Sequence, residues 1–303
     1  MAVLRSRDRG RINTPITRPT SWWLNALKKR AATMYEDDLD LSKPIEFESE
    51  EERRACVAFF NAAFRAEESG NTQAHNLARE VREWDPELAE CLELYGNEEG
   101  WHGELVSKFL KHIGGEVRPM GRVTGSFYRA YAQAKEMETI MLTNLMFETI
   151  GSTTYRLALG RIKHPQVRKM LSILTRDESF HVPLNVHFIR EVLRHKKQGL
   201  LGRVKLQTIY YLVFVALIGS SAASREVAQK FDHIDFKELS TAYVENLGRL
   251  FLKEPDLDFE PPWALLRLFG IDRNRLQSGD DWVTSVAAAE AAAQRENVRV
   301  TAL

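Results

Sequence analysis

Two short stretches of this chain carry side chains that can grip a metal ion: Glu98-Glu99-Gly100-Trp101-His102 and Asp177-Glu178-Ser179-Phe180-His181. Each holds a Glu-x-x-His step. Residues three apart on a helix share a face, so Glu99 with His102, and Glu178 with His181, can turn a carboxylate and an imidazole toward one point. A single such step is usually a solvated pair on an exposed helix. Two of them, each preceded by a helix with a central glutamate, form a pattern. Glu148 lies 30 residues before Glu178, and Glu68 lies 31 before Glu99. At about 1.5 Å per residue, such separations put each glutamate level with its Glu-x-x-His across an antiparallel helix hairpin. Glu67 competes with Glu68 for the first position, because it lies closer to the Phe60/Ala74 stripe. Glu68 is preferred on its offset.

Four carboxylates and two imidazoles facing one interior repel each other and lose their hydration, which raises carboxyl pKa values unless a cation is present. Two divalent metals bridged by carboxylates remove the conflict. Oxygen-rich ligation with one histidine per metal suits iron or manganese, whereas structural zinc favours Cys and His.

The elements that must position these groups are legible from apolar periodicity. Ser49 and three glutamates open a helix through Cys56, Phe60, Ala63, Ala74, Leu77 and Val81. Asp85-Pro86 starts a second, because Asp can cap and Pro is tolerated in a first turn, and Gly114-Gly115 ends it. A third is expected after Gly125, running unbroken through Glu148 to Gly160, and a fourth from Pro165 to about His195. Pro86 precedes Glu99 by 13 residues, as Pro165 precedes Glu178, so the two halves read as copies of one helix pair. The expectation is an all-α protein: a four-helix bundle over 49–197, a long crossover between its hairpins, and additional C-terminal helices over 198–303 packing on it. Residues 1–48 read as a flexible basic arm and a short amphipathic helix that starts at Trp22-Trp23 and docks on the protein's own body. The apolar run 206–223 reads as a buried fifth helix, with membrane contact disfavoured because its uninterrupted part, Ile209 to Ile218, is short. Residues 287–295 read as an Ala/Glu helix.

Lys plus Arg and Asp plus Glu number 42 each, so no global field favours nucleic acid. Two cysteines give no disulfide framework, and no secretory apolar run follows the basic N-terminus, which points to a cytoplasmic protein. No flavin, nicotinamide or iron–sulfur motif is visible.

The ordered set Glu68, Glu99 with His102, Glu148, Glu178 with His181 resembles the ferritin-like di-iron carboxylate superfamily over about residues 50–195. Locally, 98–105 is similar to acyl-carrier-protein desaturases, and the Asp-Glu-x-x-His form at 177–181 recurs in aldehyde-deformylating oxygenases. The resemblance implies a ferritin-like bundle binding two irons, with manganese an option in one site. It implies that Glu98 and Asp177 hold His181 and His102 in the metal-binding tautomer. It further implies an oxygenase, monooxygenase or desaturase that activates O2 to oxidise a hydrophobic, acyl-type substrate. An external ferredoxin or reductase would supply electrons, and a homodimer is expected. Two alternatives remain: an amine N-oxygenase, against which stands Leu174 where a histidine would lie, and an iron-binding ferritin- or rubrerythrin-like protein.

Overall fold

In the computed structural model, residues 18–34, 39–119, 121–197 and 199–278 are described, and among them there are helices and no strands. The basic arm before Arg18 and the 287–295 helix therefore lie outside the described residues. Local chemistry sets the ends of the long helices. Ser49 accepts a hydrogen bond from Glu52 N (3.1 Å) at the start of α2 (Glu50–Val81). Asp85 accepts one from Leu88 N (3.0 Å) at the start of α3 (Pro86–His112), with Pro86 in the first turn. α6 (Pro165–Lys196) opens on a proline in the same way and closes at Lys197, which adopts the left-handed conformation.

The third expected helix is divided. α4 (Arg122–Ala132) ends in a turn, and α5 (Met137–Arg161) restarts after Glu136, whose backbone is extended. Both pieces touch α2 and α7 (Leu200–Asp232), but α5 also lies along α6, and the chain turns between them.

Two apolar clusters fix how the four long helices run. One holds Phe60 and Ala63 of α2, Leu105 and Phe109 of α3, Tyr155 and Ala158 of α5, and Leu171 and Leu174 of α6. The other holds Leu77 and Val81, Leu88 and Leu92, Met141 and Leu145, and Val182 and Phe188 of the same helices. Thus α2 and α6 pass from the first cluster to the second, and α3 and α5 pass the other way. Every helix changes clusters at the level of its acidic residue. The polar groups are sandwiched between two dry layers.

Further helices cover this body. α1 (Thr20–Ala31) lies on α3, with Trp23 edge-on to Phe180 and stacked 5.8 Å from His187. α8 (Phe236–Lys253) packs on α5 and α7; a 3₁₀ turn (Pro255–Leu257), α9 (Trp263–Leu268) and α10 (Arg273–Ser278) follow. α7 differs from the buried helix expected for 206–223. It is longer and two-faced: Leu206, Tyr210, Val213, Phe214 and Leu217 are buried, whereas Leu201, Leu212 and Val215 are 86%, 65% and 60% exposed. Apolar residues on both faces of a helix give an unbroken run in sequence although only one face meets the body. By length and composition, Leu200–Gly219 is also apolar enough to cross a membrane.

Beneath α1, His187 is 2% exposed and its Nε2 lies 3.1 Å from Thr20 Oγ1. Burial, with Arg190 and Arg194 nearby, pulls its pKa from the ordinary 6.5 down to about 3. The unfolded chain therefore binds a proton that the folded chain refuses, and this contribution to stability is lost as pH falls below 6.5 toward 3. Its slope is about 1.4 kcal/mol per pH unit. Urea unfolding at pH 7 and pH 5 should show a shallower acid loss in His187→Gln than in the parent.

Candidate metal centre

Glu67, Glu99, His102, Glu148, Glu178 and His181 come together at the level between the two apolar clusters, and all are buried. Atoms of Glu99, His102, Glu178 and His181 lie within 4.8 Å of one another, close enough to hold a metal ion. The imidazoles are oriented alike. His102 turns Nδ1 inward, 3.5 Å from Glu67 Oε2, and His181 turns Nδ1 inward, 2.8 Å from Glu99 Oε1, 3.7 Å from Glu178 Oε2 and 3.8 Å from Glu148 Oε2. Each Nε2 faces outward to a second acid: His102 to Asp177 Oδ2 at 3.0 Å, and His181 to Glu98 Oε2 at 3.5 Å.

Glu68, preferred in the sequence, does not join them. It is one residue from Glu67, hence about 100° around the helix. Its side chain is 53% exposed and pairs with Arg65 at 2.6 Å. The structure thus corrects the first position of the buried set to Glu67.

The outer acids are held by a residue that no sequence signal disclosed. Arg30, at the end of α1 and 1% exposed, donates from Nη2 and Nε to Glu98 and from Nη2 to Asp177 Oδ1 at 2.8 Å. Its guanidinium carbon also sits 4.5 Å from the Phe180 ring centre. Arg176 donates twice more to Asp177, at 2.6 and 2.8 Å. Burial pushes the Glu98 carboxyl up, but Arg30 and His181 outweigh it and hold it at about 2. Asp177 is likewise held low against burial, by Arg30, His102 and Arg176. Sequence distance hid Arg30.

Tyrosines brace the inner acids. Tyr95 donates to Glu148 Oε1 at 2.6 Å and Tyr155 to Glu67 Oε1 at 3.0 Å. Asn144, to which the sequence assigned no role, donates to Tyr95 Oη (2.9 Å) and Asn185 Oδ1 (3.0 Å). Asn185 in turn donates to the His181 carbonyl at 3.0 Å. The Thr149 hydroxyl is committed to the Leu145 carbonyl at 2.8 Å, one turn back along its own helix.

Left to themselves, the inner groups relieve their repulsion with protons. Burial and the neighbouring Glu148 push Glu99 and Glu178 well above the ordinary carboxyl range. Burial disfavours a charged His102, yet hydrogen bonds to Asp177 and Glu67 raise it to about 9. Glu99 Oε1, Glu178 Oε2, the Nδ1 atoms of His102 and His181, and His181 Nε2 still lack aligned hydrogen-bond partners. Buried polar atoms of this kind are costly. Their convergence and donor types fit a divalent cation. The trio Glu98, His102 and Asp177 also comes within metal-binding range, but Arg30 supplies its positive charge.

The fold and site define an all-helical protein with a buried carboxylate–histidine cluster able to hold a metal ion. No family model matches the chain, and no curated protein matches it either.

Replacing Arg30 by Met leaves Glu98 and Asp177 buried beside fewer cations, and should cost about 3–5 kcal/mol in urea unfolding. Metal analysis separates the two adjacent glutamates. Glu67→Ala should lose bound metal after reconstitution, whereas Glu68→Ala should keep the parent's content.

Proposed function

We propose that the protein is a non-haem di-iron oxidoreductase of ferritin-like architecture that uses O2 to oxidise a hydrophobic, acyl-type substrate. A separate ferredoxin or reductase would supply electrons. The observation that carries the reading is the division of charge between two layers. Outside, Glu98 and Asp177 meet Arg30 and Arg176. Inside, among the described residues, no lysine or arginine pairs with Glu67, Glu99, Glu148 or Glu178. Four inner carboxylates match the charge of two divalent cations, and the donor set of carboxylates and imidazoles suits iron, with manganese the nearest substitute. The direction of the four helices and the long crossover through α4 support the same architecture.

Glu67, Glu99, His102, Glu148, Glu178 and His181 would hold the metals. When bound, such a pair supplies redox chemistry toward O2 that side chains alone cannot perform. The chain's own groups do the rest. Asp177 accepts from His102 Nε2, Glu98 faces His181 Nε2 at 3.5 Å, and the two acids would keep Nδ1 available as a ligand. Tyr95 and Tyr155 fix carboxylate orientations and place hydroxyl protons against Glu148 and Glu67. The apolar clusters above and below exclude water and strengthen every electrostatic contact between them.

Anaerobic reconstitution with ferrous iron should give about two irons per chain, the stoichiometry the inner charge requires. Glu99→Ala and His181→Ala should each lose much of it. The reconstituted protein, given O2, reductant and acyl substrates of varied length, should release an oxidised organic product. Failure to bind metal sinks the reading. Many irons per chain in a large assembly, with no organic product, would instead establish an iron-handling protein.

A further inference from the structure

One cavity touches the cluster directly. It opens between α2 and α3, has a volume of about 420 Å³, and is lined by Phe64, Glu68, Asn71, Glu99, Gly103 and Glu104, with Lys108 and Lys111 farther along α3. Glu99 belongs both to this wall and to the buried cluster. It is 1% exposed, and its Oε1 has no aligned hydrogen-bond partner. The side chains of Glu68 and Glu104, by contrast, are 53% and 72% exposed. Carboxylates therefore occur at the mouth and at the inner end of one passage.

Glycines keep this seam open. A Cβ at Gly70 would lie 3.0 Å from Glu99 Oε2, tighter than ordinary contact, so a side chain there would press on the carboxylate. At Gly103 a Cβ would lie 3.9 Å from Glu67 Cβ and 4.0 Å from the Phe64 ring, which is ordinary contact. The helix can accept a side chain at 103, and atoms beyond Cβ would enter the space the cavity now occupies. Glycine in a helix interior costs about 1 kcal/mol relative to alanine. Gly70 thus leaves room beside the Glu99 carboxylate, and Gly103 leaves room at the cavity wall beside Glu67 and Phe64.

We infer that the α2–α3 cavity is the port by which hydrated divalent cations reach the cluster. Glu68 and Glu104 capture the ion at the surface, and Glu99 receives it inside. This rests on the metal-binding reading above. The carboxylates along the wall suit an ion that exchanges water for carboxylate oxygen in steps. Lys108 lies 4.0 Å from Glu104, and with Lys111 it stands two to three turns along α3 from Glu99, away from the inner end of the passage. Exposed carboxylates at the mouth raise the local concentration of a cation at the opening.

The test is the rate of loading set beside the final content. Cobalt(II), whose visible absorption changes on entering a nitrogen–oxygen site, is mixed with the metal-free full chain in a stopped-flow instrument. Total cobalt is then measured at equilibrium. Glu68→Gln with Glu104→Gln should load about tenfold more slowly than the parent, with weaker salt dependence and unchanged final content. Gly103→Leu should slow loading by at least the same factor, again with unchanged content. Should Gly103→Leu fail to fold by circular dichroism, the surface pair carries the test alone. Loading of the surface pair at the parent's rate, or of a folded Gly103→Leu at that rate, overturns the port. A parent that takes up no cobalt overturns the metal reading instead, so the two failures are distinguishable.

Discussion

Four carboxylates and two imidazoles share one buried level of this protein, where among the described residues no lysine or arginine pairs with the acids, and most of the site answers that constraint. An uncompensated buried charge is too expensive to keep, so the groups must share protons or share cations. Burial and mutual repulsion raise Glu99 and Glu178, while Glu67 is held low, against burial, by His102. Protonation is a partial remedy, because orphaned oxygens and nitrogens remain. Divalent ions satisfy charge and lone pairs together.

The fold makes that level dry by stacking apolar layers on both sides of it. Because α2 and α6 run opposite to α3 and α5, a single acidic step near the middle of each helix brings all four to one height. Apolar periodicity on either side of the step then builds the two clusters without interruption. The cost of polar groups at mid-height is limited by bracing: Tyr95, Tyr155, Asn144 and Asn185 spend their hydrogen bonds on the carboxylates, on one another and on the backbone beside His181. A network satisfied in this way fixes one arrangement of the core.

Much of this was written locally. Helix starts at Ser49, Asp85-Pro86 and Pro165 depend on capping and on proline's missing donor, so neighbouring residues reveal them. The two Glu-x-x-His steps depend only on helix period. The choice between Glu67 and Glu68 was not local in that sense. Separation along a hairpin changes by only about 1.5 Å per residue, whereas the direction of a side chain turns by about 100°. Matched offsets therefore fixed the height and misled on the face, and the Phe60/Ala74 stripe was the better guide. The break between α4 and α5 and the exposed face of α7 were hidden because both follow from which neighbours a helix meets. Arg30 was hidden for the same reason, lying 68 residues from Glu98 and 147 from Asp177.

Arg30 also shows why a short helix near the N-terminus belongs to the chemistry of the centre. Buried ion pairs contribute little net stability compared with apolar packing of the same volume, so stability is a weak reason for one here. Tautomer control is a stronger one. A neutral imidazole has one proton and one lone pair, and under the metal-binding proposal the cluster needs the lone pair on Nδ1. An ionised Asp177 can only accept, so it draws the proton of His102 to Nε2; a protonated Asp177 could donate and reverse the ring's polarity. Burial pushes Asp177 toward that protonated form, and Arg30 and Arg176 prevent it. Under that proposal the guanidinium of α1 acts on the inner cluster through two intervening groups, by holding an acid ionised so that a histidine points its lone pair the right way.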